Sequence, residues 1–203
     1  MEKGVALLSG GIDSPVAIDL LKDRLEITAI HFHQLPLTDK KEIEKVKELT
    51  KILKIKTLYL VPATPILKAL VEKCHHKDYY VLQKIVMLKT AQLLAQKLGA
   101  IYLITGENLA QVSSQTLSNL ASITTHVEMT ILRPVLTYNK QEIIDHAKKI
   151  NTFETSKGPE ICSLLGPKTP STRSDPQAIG RELAKLDLQI LQDALDQAEI
   201  IKF

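Results

Sequence analysis

The chain of 203 residues has no tryptophan, and its aromatic side chains amount to 4%. That is too few for the stacking platforms on which single-stranded nucleic acid is bound. It has two cysteines, Cys74 and Cys162, and no C-x-x-C. A disulfide framework or a zinc ribbon needs more thiols at closer spacing. His75 and His76 follow Cys74, but neighbours on a helix point to different faces, so the plainer reading there is a solvent-facing helix end. No apolar run approaches the roughly 20 residues of a membrane span, and no signal peptide is visible. The expectation is a cytoplasmic protein with reduced thiols and no membrane partner. Charge of one sign is scarce as well. The 26 basic and 23 acidic residues leave +3, which permits a nucleic-acid partner without arguing for one.

What is present is an ordinary globular composition. Hydrophobic residues at 44% and charged residues at 24% can build a real core. Short apolar runs at 4–8, 27–32, 57–61, 101–105 and 130–132 read as buried strands. Helical spacing covers 14–21, 37–54, 66–73, 79–98 and 140–150. Within 37–54, Ile43, Val46, Leu49, Ile52 and Leu53 recur every three to four residues, and the intervening Lys and Glu read as a solvated face. Strands alternating with helices predict an α/β fold: a doubly wound parallel sheet of about five strands, covered on both faces. Ligands in such sheets lie beyond the carboxyl ends of the strands, which directs attention to 9–14, 31–36, 106–115 and 133–139. Residues 152–174 hold Pro159, Pro167 and Pro170 and read as a long irregular, functional or mobile segment. The expected division is a domain over 1–174 and an amphipathic helical tail over 175–203. That tail, with Ile179, Leu183, Leu186, Ile190, Leu191 and Leu195, packs on the domain or makes a homodimer contact.

The loop Ser9-Gly10-Gly11-Ile12-Asp13-Ser14 follows a strand and opens a helix. Its glycines allow a sharp turn and close approach to a ligand, and the freed N–H groups face an anion together. Ser9 and Ser14 add hydroxyl donors. Asp13 cannot attract phosphate; it suits magnesium coordination or ordering of the loop. There is no lysine in the turn, so this is not a Walker loop. The order S-G-G-x-D-S resembles the PP-loop of the ATP pyrophosphatase superfamily, which implies cleavage of ATP between the α and β phosphates with AMP left on the substrate. A second segment, Thr105-Gly106-Glu107-Asn108-Leu109-Ala110-Gln111-Val112-Ser113-Ser114-Gln115-Thr116-Leu117-Ser118-Asn119-Leu120, begins at the ligand end of the sheet. Glu107, Gln111 and Gln115 at spacing four are expected on one helical face.

That segment is similar to the signature of the tRNA 4-thiouridine synthetases, the ThiI family, also tied to thiamine biosynthesis. Ile131-Leu132-Arg133-Pro134, Asn139-Lys140-Gln141-Glu142, Pro159-Glu160-Ile161-Cys162 and Pro167-Lys168-Thr169-Pro170 resemble its later blocks. The resemblance implies an ATP-dependent sulfurtransferase using ATP and Mg2+. It implies ATP contacts at Leu7, Leu8, Ser9, Gly10, Gly11, Asp13, Ser14, His31, Phe32, Lys84, Gly106 and Gln115. It implies activity-critical roles for Asp13 and Lys140, and sulfur transfer through Cys162, whose thiolate the nearby Lys157 and Lys168 would favour. The partners implied are tRNA, reached directly or through a separate RNA-binding protein, and a sulfur donor, either a cysteine desulfurase persulfide or sulfide. The loop begins within the first ten residues and the chain ends after the amphipathic tail, so the expectation is a chain without the family's THUMP and rhodanese domains. Cys74 has no counterpart among the family's relay cysteines. No metal site is expected at His31 and His33. Two other functions stay open: a PP-loop enzyme adenylylating or thiolating a small metabolite or carrier protein, and a nucleotide-binding subunit without chemistry.

Overall fold

The computed structural model describes residues 1–109, 112–158 and 165–203. Among these residues six strands form one sheet in the order β5-β4-β1-β2-β3-β6. β1 (Glu2–Leu7), β2 (Leu25–His33), β3 (Thr57–Pro62), β4 (Tyr102–Ile104) and β5 (Thr130–Leu132) are parallel. This is the expected doubly wound sheet. It gains one strand: β6 (Glu199–Lys202) pairs antiparallel with β3, Leu58 opposite Ile201. The tail expected to be helical to its end therefore contains α8 (Pro176–Leu183) and α9 (Gln189–Asp196) and then returns to the sheet. A four-residue edge strand shows no helical or long apolar signature, and its partner lies far back in the chain.

Alternation along the central strands sends side chains to two cores. Ala6, Ala29, Leu58 and Leu60 face α1 (Asp13–Asp19), α2 (Lys41–Ile52) and α6 (Lys140–Lys149). Val5, Ile30, Tyr59 and Val61 face α3 (Thr64–Lys73), α4 (Tyr79–Leu98), α5 (Leu117–Thr125), α8 and α9. Ten residues and more of the long α4 are buried, and Gly99 ends it in a left-handed cap at φ 66°. α7 (Phe153–Ser156) is a single turn that leans on α2 and α6.

The strand order fixes where a ligand belongs. From β1 the chain moves outward through β2 and β3, then crosses to the other side of β1 to make β4. The carboxyl ends of β1 and β4 therefore diverge to opposite faces, and the crevice between them is the topological switch point.

Candidate functional site

Loop 9–14 leaves β1 at that crevice. Its shape is held by hydroxyls. The Ser9 N–H donates to Ser14 Oγ at 2.9 Å, the two Oγ atoms lie 3.0 Å apart, and the Gly11 N–H donates to Ser9 Oγ at 3.2 Å. Ser9 and Ser14 thus shape the loop as well as offering donors to a ligand. Asp13 opens α1 and stands in its first turn, where a carboxylate is favourable to the helix dipole.

The segment after β4 closes over this loop. Gly106 faces Ser14 so closely that a β-carbon there would be 2.5 Å from the Ser14 nitrogen and 2.7 Å from the Asp13 carbonyl carbon. Only glycine fits. The next residues are extended rather than helical, so Glu107 and Gln115 do not share a helix face; Gln111 lies outside the described residues. Glu107 is 1% exposed and accepts from Arg133 Nε at 2.7 Å and from Thr105 Oγ1 at 3.1 Å. Gln115 lies in the short turn Ser113–Gln115 and accepts the Asn108 N–H at 3.3 Å. Asn108 Nδ2 donates to the Val135 carbonyl at 2.7 Å and to that of Tyr138 at 2.5 Å. The loops following β4 and β5 are thereby one hydrogen-bonded unit beside loop 9–14. Spacing four suggested a helix; burial of a carboxylate against an arginine from the next strand overrode it.

The rest of the signature run does a different job. Thr116 Oγ1 and Ser118 Oγ donate to the carbonyls of Thr172 and Ser174, each at 2.8 Å. Asn119, fully buried, donates to the Ser113 and Ser171 carbonyls and accepts the Ser174 N–H. These side chains clamp residues 171–174 across α5. Cys162 and the Pro159-Glu160-Ile161 motif lie outside the described residues. Lys157, expected to favour its thiolate, donates to Glu154 at 2.8 Å in an exposed pair and lies over the Phe153 ring.

The other expected residues lie on or beside β1, β2, α4 and α6. Leu7 ends β1, half-buried, and Leu8 is buried. On β2, Phe32 is buried and His31 donates from Nδ1 to the Leu8 carbonyl at 2.9 Å. That bond leaves the Nε2 lone pair facing Glu42 at 3.8 Å. Burial holds the His31 pKa down to about 4, so the ring is neutral at pH 7. Lys84 is half-buried on α4, which packs against the turn carrying Gln115. Lys140 is exposed and opens α6, the helix packed on α1, behind an Asn139–Glu142 capping box.

Two residues escaped the sequence reading. Glu42 and Lys45 belong to the charged side of α2, read as solvated, yet both turn inward. Glu42 faces His31, and burial raises its pKa. Lys45 lies against Gly10 and donates from Nζ to the Ser156 carbonyl at 3.0 Å. Their spacing of three along the edge of the Ile43–Val46–Leu49 stripe was the available signal. Around Cys74 the three side chains diverge. The thiol is half-buried and donates to the Glu182 carbonyl, His75 pairs with Asp78, and His76 bonds to the Leu165 carbonyl. Burial and Glu182 push the Cys74 thiol up, away from the nucleophilic range.

Comparison with known proteins follows this geometry. The chain is 39% identical to a probable tRNA sulfurtransferase of Acetivibrio thermocellus and 40% identical to one of Halothermothrix orenii; each alignment covers 98% of this chain and 53% of the relative. The chain thus spans about half the length of the curated relatives it matches. A 4-thiouridine synthetase solved in complex with RNA and bound ATP superimposes with a TM-score of 0.93 at 33% identity, over 98% of this chain and 55% of that one. The sequence model of the family described as thiamine biosynthesis protein (ThiI) matches residues 1–188, and with loop, switch point and signature run all in place, the chain belongs to that family.

Proposed function

We propose that this chain binds ATP at loop 9–14, adenylylates a tRNA uridine and exchanges the AMP for sulfur, giving 4-thiouridine. The observation carrying this reading is the closure of Gly106 on the backbone of Asp13 and Ser14 at the switch point. It is supported by likeness to a 4-thiouridine synthetase whose structure holds RNA and ATP. Leu7, Leu8, His31, Phe32, Lys84, Gly106 and Gln115 line the nucleotide, with Ser9, Gly10, Gly11 and Ser14 on its phosphates.

In the first step O4 of the uridine attacks the α-phosphorus and the bond to the β-phosphate oxygen breaks. The N–H groups of the loop and the N-terminus of α1 stabilise the departing pyrophosphate. Among the described residues no cluster of three or more His, Cys, Asp or Glu side chains forms a metal cage. Asp13, in the first turn of α1 at the phosphate loop, is the residue that would hold a magnesium ion, which would neutralise phosphate charge there. Lys140, at the head of the helix packed on α1, assists the same step.

In the second step sulfide attacks C4 and AMP leaves with O4. If a persulfide on Cys162 delivers the sulfur instead, its outer atom attacks C4, and an external thiol then reduces the resulting disulfide. The raised pKa of the half-buried Cys74 makes it a poor candidate for that thiol. A separate RNA-binding partner presents the uridine, in keeping with the weak net charge and few aromatic residues here. Among the described residues no helix is long and apolar enough to cross a membrane, and a tRNA substrate is consistent with a cytoplasmic reaction.

The test is incubation with ATP, magnesium, a sulfur donor and unmodified tRNA, following pyrophosphate and 4-thiouridine absorbance. Asp13→Ala abolishes pyrophosphate release; Cys162→Ala spares it and stops persulfide-dependent thiolation. Pyrophosphate release that ignores tRNA would sink the tRNA reading. It would favour a small metabolite or carrier protein, the reading that the family's link to thiamine biosynthesis supports.

A further inference from the structure

Loop 9–14 has no cation of its own and contains the acidic Asp13, yet pyrophosphate leaves with several negative charges. On the α2 side the loop opens into a cleft of about 1080 Å³, whose walls include Ser9, Gly10, Gly11, Lys45, Lys157 and Gly158. Lys157 is paired with Glu154. Lys45 is placed differently, although Glu42, one turn back on α2, also feels its charge. Its side chain crosses from α2 to the loop, with Cδ 3.0 Å and Nζ 3.7 Å from where a β-carbon on Gly10 would stand. The hydrogen bond its ammonium makes is to the neutral Ser156 carbonyl. An ammonium has three donors, so two remain for an anion over Gly10.

We propose that Lys45 is a pyrophosphate-binding residue, its ammonium bridging the β- and γ-phosphates over Gly10 to the Ser156 carbonyl. This rests on the ATP reading above and adds to it a residue outside the loop and outside the signature run. It also gives α2 a reason to turn a charged side chain inward beside its buried stripe. One cation then joins the phosphates to the strand of chain at 156–158, so phosphate binding and the position of that segment are coupled.

The test is calorimetric titration of the whole chain, in magnesium, with ATP, inorganic pyrophosphate and AMP. Lys45→Gln keeps a donor for Ser156 and removes the charge. It should weaken pyrophosphate and ATP about tenfold or more, as loss of a charge-assisted contact does, and leave AMP unchanged. Lys45→Arg should retain most of the pyrophosphate affinity. Lys47→Gln on the same helix, where Lys47 pairs with Glu44 at 3.2 Å, should change nothing. Unchanged pyrophosphate affinity in Lys45→Gln overturns the proposal. So does an equal loss of AMP, which would mark a change in the fold of the site, and so does an equal effect of Lys47→Gln, which would mark a diffuse field. If Lys45→Gln does not fold, Lys45→Met, which keeps the methylene packing, replaces it under the same criteria. A wild-type chain that binds neither ATP nor pyrophosphate overturns the ATP reading itself, an outcome distinct from those three.

Discussion

Gly106 and Ser14 approach so closely that a β-carbon on the glycine would lie 2.6 Å from the serine α-carbon. The obstructing atoms are backbone, so relief means moving the phosphate loop. Gly106→Ala should destabilise the fold by about 1–3 kcal/mol, as overpacking does, and remove ATP binding; urea unfolding and ATP titration measure the two effects. Gly10→Ala meets only the flexible Lys45 side chain at 3.0 Å and should disturb stability less. Equal losses in the two variants would show that the Gly106 contact is not what the loop depends on.

Glu107 is buried, and Arg133 supplies its positive partner. Arg133 also donates to Thr124 Oγ1 at 3.0 Å, tying β5 to α5. Arg133→Met strands a buried carboxylate and should cost about 3–5 kcal/mol. Adding Glu107→Gln should recover a large part of that loss. A double-mutant cycle in denaturant reads the coupling, and strict additivity would mean the pair is not coupled.

Asn119 makes three side-chain hydrogen bonds with no exposure to water. Asn119→Ala leaves the Ser174 N–H and two carbonyls without it and should destabilise by about 1–3 kcal/mol for each group left unsatisfied. The local consequence is release of residues 171–174. Limited proteolysis with mass spectrometry should find new cuts between 165 and 175, and an unaltered digestion pattern would refute the clamp.

His31 makes stability depend on pH. Burial lowers its pKa to about 4 from 6.5. In that window the unfolded chain binds the proton that the folded chain refuses, so stability is complete above pH 6.5 and falls as pH drops toward 4. The loss is up to about 3 kcal/mol. Glu42, whose pKa burial raises, contributes with the opposite sign, and His33 is also lowered, so the total slope is composite. His31→Asn preserves a donor for the Leu8 carbonyl and does not titrate. The difference between wild type and variant in urea melts from pH 7 to pH 4 isolates the histidine; parallel curves would refute its burial as a neutral ring.

The parts of the site legible in the sequence were those whose chemistry is local. Loop 9–14 showed itself because its two glycines and two serines are contiguous and the serine hydroxyls bond within the loop. The central strands showed themselves because burial on both faces leaves uninterrupted apolar runs such as 57–61. What depended on distant partners was hidden. The spacing of Glu107 and Gln115 fits a helix until Arg133 is known to stand beside Glu107. Ser118 and Asn119 appeared only as members of the signature run, and the structure shows them holding residues 171–174. Lys45 is one of many lysines on α2 until Gly10 is seen against it. β6 is too short to announce itself without β3.

The pairing of β1 with β4, Gly4 beside Tyr102 and Ala6 beside Ile104, joins stretches that are remote along the chain. No local fragment can assemble the crevice, because each wall is made by a strand that arrives separately. The site therefore needs the completed domain, and a nucleotide held there would bind the folded chain in preference to partly folded ones. Its binding energy accrues to the whole cooperative unit, raising the unfolding midpoint with ligand concentration, so occupancy of the crevice doubles as a gauge of folding quality.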